Sequence, residues 1–491
     1  MKTRNLPNSV VIIGAGPAGL FTARRLRELG VKEITLLEKE NEVGGKCKTY
    51  TDQRIPSLVS EYCAGALVFN YGVVLDAINE KGVKIEALMP TQKNSIELIN
   101  KINSLTYWGK VKFGFEFMYQ FGKFIYAVKS YNYVRDHAQP LPKDLELPFT
   151  NYANKYGLEH INLFLKPVVP GFGYGAVDVC PTYSVLEYMG YLTIPTLIIG
   201  KKLHHDGMAG IQGGFQHLMK EVAKDFNIRT SVTINHIDRL ATTDNVTIYF
   251  SQHGVKKTVQ AEALVLAISP LQWSTLGMAL TPTEQTCTDQ SHLTYYRYPV
   301  AICHIKGLAP KNVYFPEALN KDHFQHVSLI TTRDDRPDPK EGRLCTAYIN
   351  LPPGKNHFSL EEESAGRRLL LQELQKMPGV IDVKILDVKI WEDYFSSLPW
   401  NLRINLEKQQ YSSSEKTLYV GSYTLGSFED VACVTNRAKK MLDGIFGIRT
   451  SYTQYFFKEV QRAGKFFQHT QQKPVGEEPE NSGLVHTSMT I

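Results

Sequence analysis

Residues 9–38 read SVVIIGAGPAGLFTARRLRELGVKEITLLE. The apolar run before the glycines is typical of a strand that is buried on both faces of a parallel sheet. Gly14, Gly16 and Gly19 follow in the spacing G-x-G-x-x-G, and the residues after them have helical character. A second apolar run then ends in an acidic residue. The order strand, glycine triplet, helix, strand and acid predicts a βαβ unit that binds a dinucleotide.

Each position in this segment has a chemical reason. The first glycine permits the tight turn out of the strand, the second lets the backbone approach a pyrophosphate, and the third lets the helix pack against the strand. The N-terminal end of the helix offers free N–H groups to the phosphates, and the acid accepts hydrogen bonds from the ribose hydroxyls. The predicted contacts in this segment are Gly14, Ala15, Gly16, Pro17, Ala18, Gly19, Glu38 and Lys39.

Composition narrows the class of protein. A chain of 491 residues is too long for a single core, so we expect two connected domains. Hydrophobic residues make up 43% and charged residues 21%, which excludes general disorder. The net charge of +6 is not concentrated in any basic run, so it gives no argument for nucleic acid. The seven cysteines form no C-x-x-C pair, which disfavours a zinc site or a disulfide framework and favours a reducing compartment.

The N-terminal apolar run superficially imitates a signal peptide, but glycines and a proline interrupt it and no small-residue cleavage site follows. No run of 18 or more apolar residues occurs elsewhere, so the sequence predicts no membrane span. We therefore expect a cytoplasmic protein, with peripheral contact to a membrane as an open alternative.

A second glycine pair identifies the dinucleotide. Residues 41–46 read NEVGGK, and a loop containing Gly44 and Gly45 suits a passage under the same pyrophosphate, with Lys46 as a cation for it. This resembles the extended motif of FAD-binding oxidoreductases in the flavin amine oxidase superfamily, which includes phytoene desaturases and protoporphyrinogen oxidases. Arginine is usual at position 46, and lysine keeps the charge without the two-pronged geometry. The resemblance implies FAD as the cofactor. It also implies that FAD is held non-covalently, because no cysteine precedes the final strand at the position where the family attaches flavin.

Later segments of the chain resemble the family's other FAD-binding segments. Residues 60–66 resemble the loop whose backbone lies beside the flavin ring, although a plain turn is the alternative. Residues 210–215 resemble the family's glycine pair before a helix, and residues 417–423 predict a final buried strand before a helix that faces the flavin pyrimidine. Serine stands at 422 where an acid is common, and a hydroxyl is the weaker acceptor for the ribityl chain. The further cofactor contacts that the resemblance implies are Gly65, Ala66, Val232, Gly421, Ser422, Asp430 and Val431.

The predicted fold class is α/β: a discontinuous, Rossmann-like FAD-binding domain of the GR2 type, with an inserted α+β substrate domain and a helical cap. The predicted FAD domain consists of 1–90, 205–275 and 406–450, interrupted by a cap at 91–204 and a substrate domain at 276–405. Residues 451–491 are expected to form a C-terminal helix and a flexible tail. That helix either packs on the body or contacts a membrane or partner.

The substrate region is the least determined part. Residues 107–134 carry eleven aromatic residues interleaved with lysines, which fits a cap helix packed in the core or an apolar tunnel mouth that touches a membrane. Single-stranded nucleic acid also binds aromatic and lysine side chains, but the phosphate-binding loops commit the protein to FAD. The candidate substrate contacts are Phe172, Tyr174 and Tyr296.

The chemistry follows from two comparisons within the superfamily. Amine oxidases carry a lysine on the strand that enters the flavin face, and residues 298–305 contain none before Lys306, where we expect that strand to have ended. Residues 391–395, 419–422 and 428–431 instead resemble the polyunsaturated fatty-acid double-bond isomerase branch. That resemblance implies hydride transfer from an apolar, acyl-type substrate to flavin N5, with return of the hydride to another carbon. An oxygen-dependent amine or amino-acid oxidase and a non-enzymatic flavoprotein stay as alternatives. No metal and no catalytic side chain are predicted.

Overall fold

The structure is a computed structural model that describes residues 4–67, 71–91, 97–171, 176–190, 193–195, 208–239, 245–315, 327–349, 360–412, 416–427 and 430–448. The described strands are, in chain order, β1 Ser9–Ile13, β2 Glu33–Leu37, β3 Thr49–Thr51, β4 Val59–Glu61, β5 Ile85–Ala87, β6 Ala209–Ile211, β7 Asn227–Arg229, β8 Val232–Asp238, β9 Val246–Gln252, β10 Val255–Ala261, β11 Ala263–Leu266, β12 Thr294–Lys306, β13 Val313–Tyr314, β14 Val327–Thr332, β15 Arg343–Ile349, β16 Asp382–Ser397 and β17 Thr417–Tyr419.

The helices alternate with these strands and also form a cluster of their own between β5 and β6. The described helices are α1 Pro17–Leu29, α2 Gly72–Lys81, α3 Glu97–Ser104, α4 Tyr107–Asp136, α5 Lys143–Glu146, α6 Phe149–Tyr156, α7 Glu159–Gly171, α8 Thr182–Met189, α9 Phe215–Ala223, α10 Pro282–Thr288, α11 Leu360–Gln375, α12 Trp400–Gln410 and α13 Val431–Ile445, with a 3₁₀ helix at Pro270–Leu276.

The central element is a parallel five-stranded sheet with the order β17-β11-β1-β2-β7. Its strands are short apolar runs because both faces are covered. Helices α1, α2, α9 and α13 pack on one face, and the sheet of β8 to β10 packs on the other together with the 3₁₀ helix. The strand order reverses at β1, which pairs with β2 on one side and β11 on the other. Ligands of open parallel sheets bind beyond the carboxyl ends of the strands at such a reversal, and the glycine triplet follows β1 there.

Two antiparallel sheets and the helical cluster complete the molecule. Strands β8 to β10 form a three-stranded sheet, and a five-stranded sheet has the order β13-β14-β15-β12-β16. Helices α4, α6, α7 and α8 pack around a separate apolar core. The five strands of the parallel sheet come from well-separated stretches of the chain, with the helical cluster and the second large sheet inserted between them. This is the predicted α/β fold with a Rossmann-like, interrupted cofactor domain.

Within the stretches that the structure describes, no helix combines the length and the apolar character needed to cross a membrane.

Candidate functional site: a dinucleotide cavity with an apolar arm

The glycine triplet forms the turn from β1 into α1. Gly14 has a φ of +102°, and a Cβ there would lie 2.9 Å from the Ala267 carbonyl oxygen. A Cβ on Gly19 would lie 2.0 Å from the Gly14 carbonyl oxygen, so only glycine lets the helix pass so close to the turn. Gly16 is different, because it lines the cavity and a Cβ there would meet no atom closer than the Gly45 Cα at 3.6 Å, whereas Gly14 lines the cavity but has no room for a Cβ. The first and third glycines therefore build the turn, and the second faces the ligand space.

The start of α1 is prepared for an anion. Gly16 is the N-cap and Pro17 occupies the first helical turn, where its missing N–H costs nothing. No acidic residue lies in this first turn, so the partial positive charge of the helix end is not neutralised from within the helix. Pro17 and Ala18 line the cavity with Gly16. Ala15 does not line it, and its carbonyl instead accepts a hydrogen bond from the Gly44 N–H at 3.0 Å.

Glu38 ends β2, as predicted, and is buried. One carboxylate oxygen accepts the Ala15 N–H at 2.7 Å and the other accepts the Glu40 N–H at 3.0 Å. Each oxygen has capacity for a further hydrogen bond, and the residue lines the cavity next to Lys39. The carboxylate therefore holds the glycine loop in place, in addition to the contact with ribose that the sequence predicts. The Val232 N–H donates to the Glu38 carbonyl at 3.0 Å, which brings the predicted adenine contact to the end of β2.

The second glycine pair lies directly beneath the first loop. Gly44 and Gly45 have φ values of +122° and +54°, and a Cβ on Gly45 would lie 3.0 Å from the Gly16 Cα. Lys46 lines the cavity, but its ammonium donates to the Asp393 carbonyl oxygen at 2.7 Å and lies 3.6 Å from the Asp393 carboxylate. The Lys46 charge holds the pKa of Asp393 below its ordinary value. The predicted role of Lys46 as a cation for pyrophosphate thus competes with a partner that the motif did not indicate.

The loop at 60–66 rests on a buried ion pair. Glu61 accepts the Thr49 hydroxyl at 2.7 Å, the Phe215 N–H at 2.8 Å and the Arg333 guanidinium at 3.2 Å. Arg333 also donates to the Gly65 carbonyl at 2.9 Å. Burial raises the pKa of Glu61 even though the Arg333 charge acts in the opposite direction. Gly65 and its neighbour Ala66 line the cavity, so the hydrogen bonds of Glu61 and Arg333 hold the predicted loop in position at the cavity.

The final strand and helix also reach the cavity. Gly421 and Ser422 follow β17, and α13 begins at Val431, the residue predicted for the helix start. Asp430 caps this helix by accepting the Cys433 N–H at 3.0 Å and also accepts the Tyr71 hydroxyl at 2.7 Å. Burial raises the pKa of Asp430 above its ordinary value, although both hydrogen bonds oppose that shift. Asp430 therefore serves the helix, and the helix end faces the cavity.

One cavity of 1590 Å³ brings these segments together. Every predicted cofactor contact except Ala15, Gly19 and Gly44 lines it, and those three build the loops behind it. The glycine loops leave the backbone bare on one side and two helix ends face the same space. These features fit an adenine-linked diphosphate, so the residues present fit FAD.

A further part of the cavity lining is apolar and comes from the inserted segments. Leu98 and Ile99 of α3 and Phe164 of α7 line this part, together with Leu329 of β14. We call this part the apolar arm, defined by these residues with Pro167 and Val168. Polar residues of the inserted segments also line the cavity, among them the exposed Lys311.

Three tyrosines form part of the cavity wall. The rings of Tyr298 and Tyr394 stack at 4.8 Å with an interplanar angle of 13°, and Tyr348 lies 5.9 Å from Tyr298. All three line the cavity, and the Tyr394 hydroxyl lies 2.7 Å from the Cys63 sulfur. The sequence alone does not reveal this stacked pair, because the two residues lie on β12 and β16 and meet only through strand pairing.

The predicted substrate residues cannot be placed. Phe172 and Tyr174 lie outside the described residues, and so does the side chain of Tyr296, although its backbone belongs to β12. Strand β12 extends through Lys306, one residue beyond the predicted end, and Lys306 is not part of the cavity wall. The search for a lysine missed Lys389, which lines the cavity from β16 with its ammonium 5.0 Å from the Trp391 ring.

Among the described residues, no group of three or more His, Cys, Asp or Glu side chains could hold a metal ion.

Comparisons with known proteins agree with this site. Residues 12–80 match the family described as the NAD(P)-binding Rossmann-like domain. The β-cyclopiazonate dehydrogenase of Aspergillus flavus is 24% identical over 315 residues, which cover 62% of this chain and 65% of that protein. The match thus spans just under two thirds of that relative. The FAD-dependent oxidoreductase dbaF of Emericella nidulans is 21% identical over 421 residues, which cover 83% of each chain.

A solved structure with a similar fold is the CLA-producing fatty acid isomerase from P. acnes, with a TM-score of 0.68 and 19% identity over 90% of this chain and 99% of the isomerase. At that identity the likeness shows the fold. The matched Rossmann-like domain and the FAD-dependent relatives support the resemblance to FAD-dependent oxidoreductases that the motifs indicate. The same comparisons support FAD as the cofactor.

Proposed function

We propose that the protein is an FAD-dependent oxidoreductase that takes a hydride from a carbon of an apolar, acyl-type substrate and can return it to another carbon of the same chain. The observation that carries this proposal is the continuity of the cavity. The glycine loops and the apolar arm line the same cavity. A substrate in the arm would therefore meet the cofactor without leaving the protein.

When bound, FAD supplies the hydride acceptor, and the protein supplies position and exclusion of water. The bare backbone at Gly16 and Gly45 admits the diphosphate, and the helix end at Val431 favours negative charge near the ring. The stacked rings of Tyr298 and Tyr394 form a rigid side of the space beside the loop at 60–66. Hydride transfer from an oriented carbon needs no side-chain base, so the main task of these residues is alignment.

Of the cations that line the cavity, which also include Lys39, Lys48 and Lys389, we consider Lys311 for the head group of such a substrate. Lys46 and Arg333 line the cavity but are engaged with Asp393 and Glu61. Lys311 also lines it, is exposed, and makes no ion pair among the described residues. We therefore assign Lys311 to hold the carboxylate of an acyl substrate at the rim while the chain fills the apolar arm.

The test uses the protein reconstituted with FAD and an unsaturated fatty acid such as linoleate, with oxygen removed. The proposal predicts loss of the flavin's visible absorbance, or a product with a shifted double bond that appears without any added electron acceptor. A substrate chain that neither reduces the flavin nor changes its double bonds would contradict the proposal. A flavin that no substrate reduces would favour a non-enzymatic flavoprotein instead.

A second candidate is an oxygen-dependent amine or amino-acid oxidase. The stacked pair of Tyr298 and Tyr394 favours it, because two parallel rings can frame an amine beside the cofactor. Lys389 offers a lysine at the cavity wall, on a strand that the sequence search did not consider. Hydrogen peroxide formed from amines or amino acids in air, with no change in fatty acids, would establish this candidate and exclude the first.

A further inference from the structure

Helix α4 exposes a straight stripe of aromatic side chains. Trp108, Phe115, Tyr119, Tyr126 and Tyr133 follow one another at intervals of seven, four, seven and seven residues. At about 100° per residue, all five directions fall within about 40° of one another on the helix surface. These side chains are between 57% and 76% exposed. Soluble proteins rarely leave such a continuous apolar stripe uncovered unless it binds something.

The opposite face of the same helix anchors it to the protein. Phe117, Phe124, Val128 and Tyr131 are buried in the core that α4 shares with α7 and α8. The stripe is therefore not needed to hold the helix in place. Replacing its side chains leaves the buried face intact, so variants of the stripe test binding and not folding.

The chemistry of the exposed face selects one kind of partner. Lys112, Lys123 and Lys129 flank the stripe, and the Lys123 ammonium lies 5.5 Å from the centre of the Tyr119 ring. The acidic Glu116 beside them is paired with Lys112 at 3.8 Å and with His160. Protein interfaces are depleted in lysine, whereas a bilayer surface accepts Trp and Tyr rings at headgroup depth and draws lysines to its phosphates.

We propose that this face docks the protein onto an anionic phospholipid bilayer, with α4 lying in the plane of the headgroups. Aromatic rings enter the boundary of the acyl chains, and the flanking lysines pair with lipid phosphates. The charge of the face complements an anionic surface, which a neutral protein partner would not require.

Helix α4 lies next to the apolar arm of the cavity, with its buried face toward the arm and the stripe on its outer face. On the buried side of α4, Phe117 contacts Phe164 of α7 with ring centres 5.9 Å apart, and Phe164 lines the arm. Lys166 of α7 pairs with Glu97 of α3 at 2.7 Å, and the next two residues of α3 line the arm as well. Docking would thus place the arm near the lipid. The benefit of placing the arm near the lipid rests on the proposed acyl substrate, whereas docking itself does not.

The experiment measures binding of the FAD-loaded protein to vesicles by cosedimentation, with no substrate present. Vesicles of phosphatidylcholine alone are compared with vesicles that also contain phosphatidylglycerol. The stripe variant carries Trp108→Ser, Tyr119→Ser and Tyr126→Ser. Its matched control carries Tyr249→Ser, Val255→Ser and Ile381→Ser, which remove three exposed apolar side chains from other surfaces. The absorbance of bound FAD and circular dichroism verify that every variant is folded.

The proposal predicts that the wild type and the control bind anionic vesicles, that the stripe variant binds at least tenfold more weakly, and that added salt weakens binding. Lys112→Gln with Lys129→Gln should weaken it about fivefold per lysine, while Lys256→Gln with Lys257→Gln should not. Failure of the wild type to bind anionic vesicles would overturn the proposal, as would equal binding by the stripe variant. A stripe that instead mediates self-association, seen by sedimentation velocity and lost in the stripe variant, would also overturn it. Because no turnover is measured, these outcomes are independent of the proposed reaction.

Discussion

Two glycines only three residues apart should respond in opposite ways to the same added methyl group. Gly16 has a φ of −77°, which alanine adopts readily, and a Cβ there would meet only the Gly45 Cα at 3.6 Å and the Gly45 nitrogen at 4.0 Å. Gly16→Ala should therefore leave the FAD-free protein as stable as the wild type or up to about 1 kcal/mol more stable. A Cβ on Gly19 would lie 2.0 Å from a backbone oxygen, so Gly19→Ala should cost about 1–3 kcal/mol of stability.

The effect on FAD should run the other way. The methyl group on Gly16 occupies cavity space where the diphosphate approaches the start of α1. Loss of one charge-assisted hydrogen bond there costs about 1.5–3 kcal/mol of binding free energy. That corresponds to an affinity for FAD that is about 10- to 150-fold lower. Gly16→Ala thus separates cofactor binding from folding, with Gly19→Ala as the matched variant in the same turn.

The assay strips FAD from each variant, measures thermal unfolding of the FAD-free protein, and then titrates FAD by quenching of flavin fluorescence. The expected pattern is a stable Gly16→Ala protein that binds FAD poorly and a destabilised Gly19→Ala protein. Affinity for FAD within threefold of wild type in Gly16→Ala would refute the placement of the diphosphate. Equal stability of the two variants would refute the packing argument at the turn.

Further predictions concern the substrate rim and two buried carboxyl groups. In steady-state assays, Lys311→Met should raise the KM for a fatty acid and leave kcat and the KM for the methyl ester unchanged. Lys306→Met, which lies outside the cavity wall, should leave kcat and both KM values unchanged. Glu284→Gln should lower the free energy of unfolding in urea by about 3–5 kcal/mol, because it removes the carboxylate that balances the charge of the buried Arg239. Burial alone raises the pKa of Glu284, but the hydrogen bonds and charge of Arg239 hold this pKa below its ordinary value. The wild type should therefore lose stability as the pH falls through that pKa, and the Gln variant should lose less. Asp430→Ala should cost about 0.5–2 kcal/mol as a lost helix cap, whereas Asp430→Asn keeps the cap. Since burial raises the pKa of Asp430, the wild type should lose stability as the pH rises through that pKa, and thermal unfolding of the Asn variant should lack this dependence.

The parts of the site that sequence predicts well are those that local geometry decides. The glycine triplet, the acid at the end of β2 and the start of α13 at Val431 all lie where the motifs place them. Each depends on residues within a few positions of one another. A tight turn needs its glycine, and a helix start needs its cap, whatever the remainder of the chain does.

The parts that sequence missed depend on distant contacts. Lys46 finds its acceptor in Asp393, 347 residues away, and Arg333 reaches Glu61 across 272 residues. Neither distance carries a pattern that a single sequence reveals. The stacked pair of Tyr298 and Tyr394 likewise depends on the register between β12 and β16, which includes shifts near this pair. Their side chains could be found only after the strands were paired.

The aromatic helix α4 shows a third limit. Its aromatic residues occur on both faces, so their abundance predicts neither burial nor exposure. The structure separates them into a buried face with Phe124 and Tyr131 and an exposed stripe with Trp108 and Tyr119. The buried face agrees with the sequence-based interpretation of a packed cap helix, whereas the interpretation of an apolar tunnel mouth that touches a membrane stays a prediction.

The central claim is that one cavity holds FAD and an apolar chain side by side. Its most direct test is the visible spectrum of the protein reconstituted with FAD, titrated with an unsaturated fatty acid in the absence of oxygen. The account predicts one FAD per chain and a saturable change of the flavin spectrum, by shift or by loss of colour, as the fatty acid binds. A protein that takes up no FAD, or a flavin spectrum that no apolar chain alters, would contradict it.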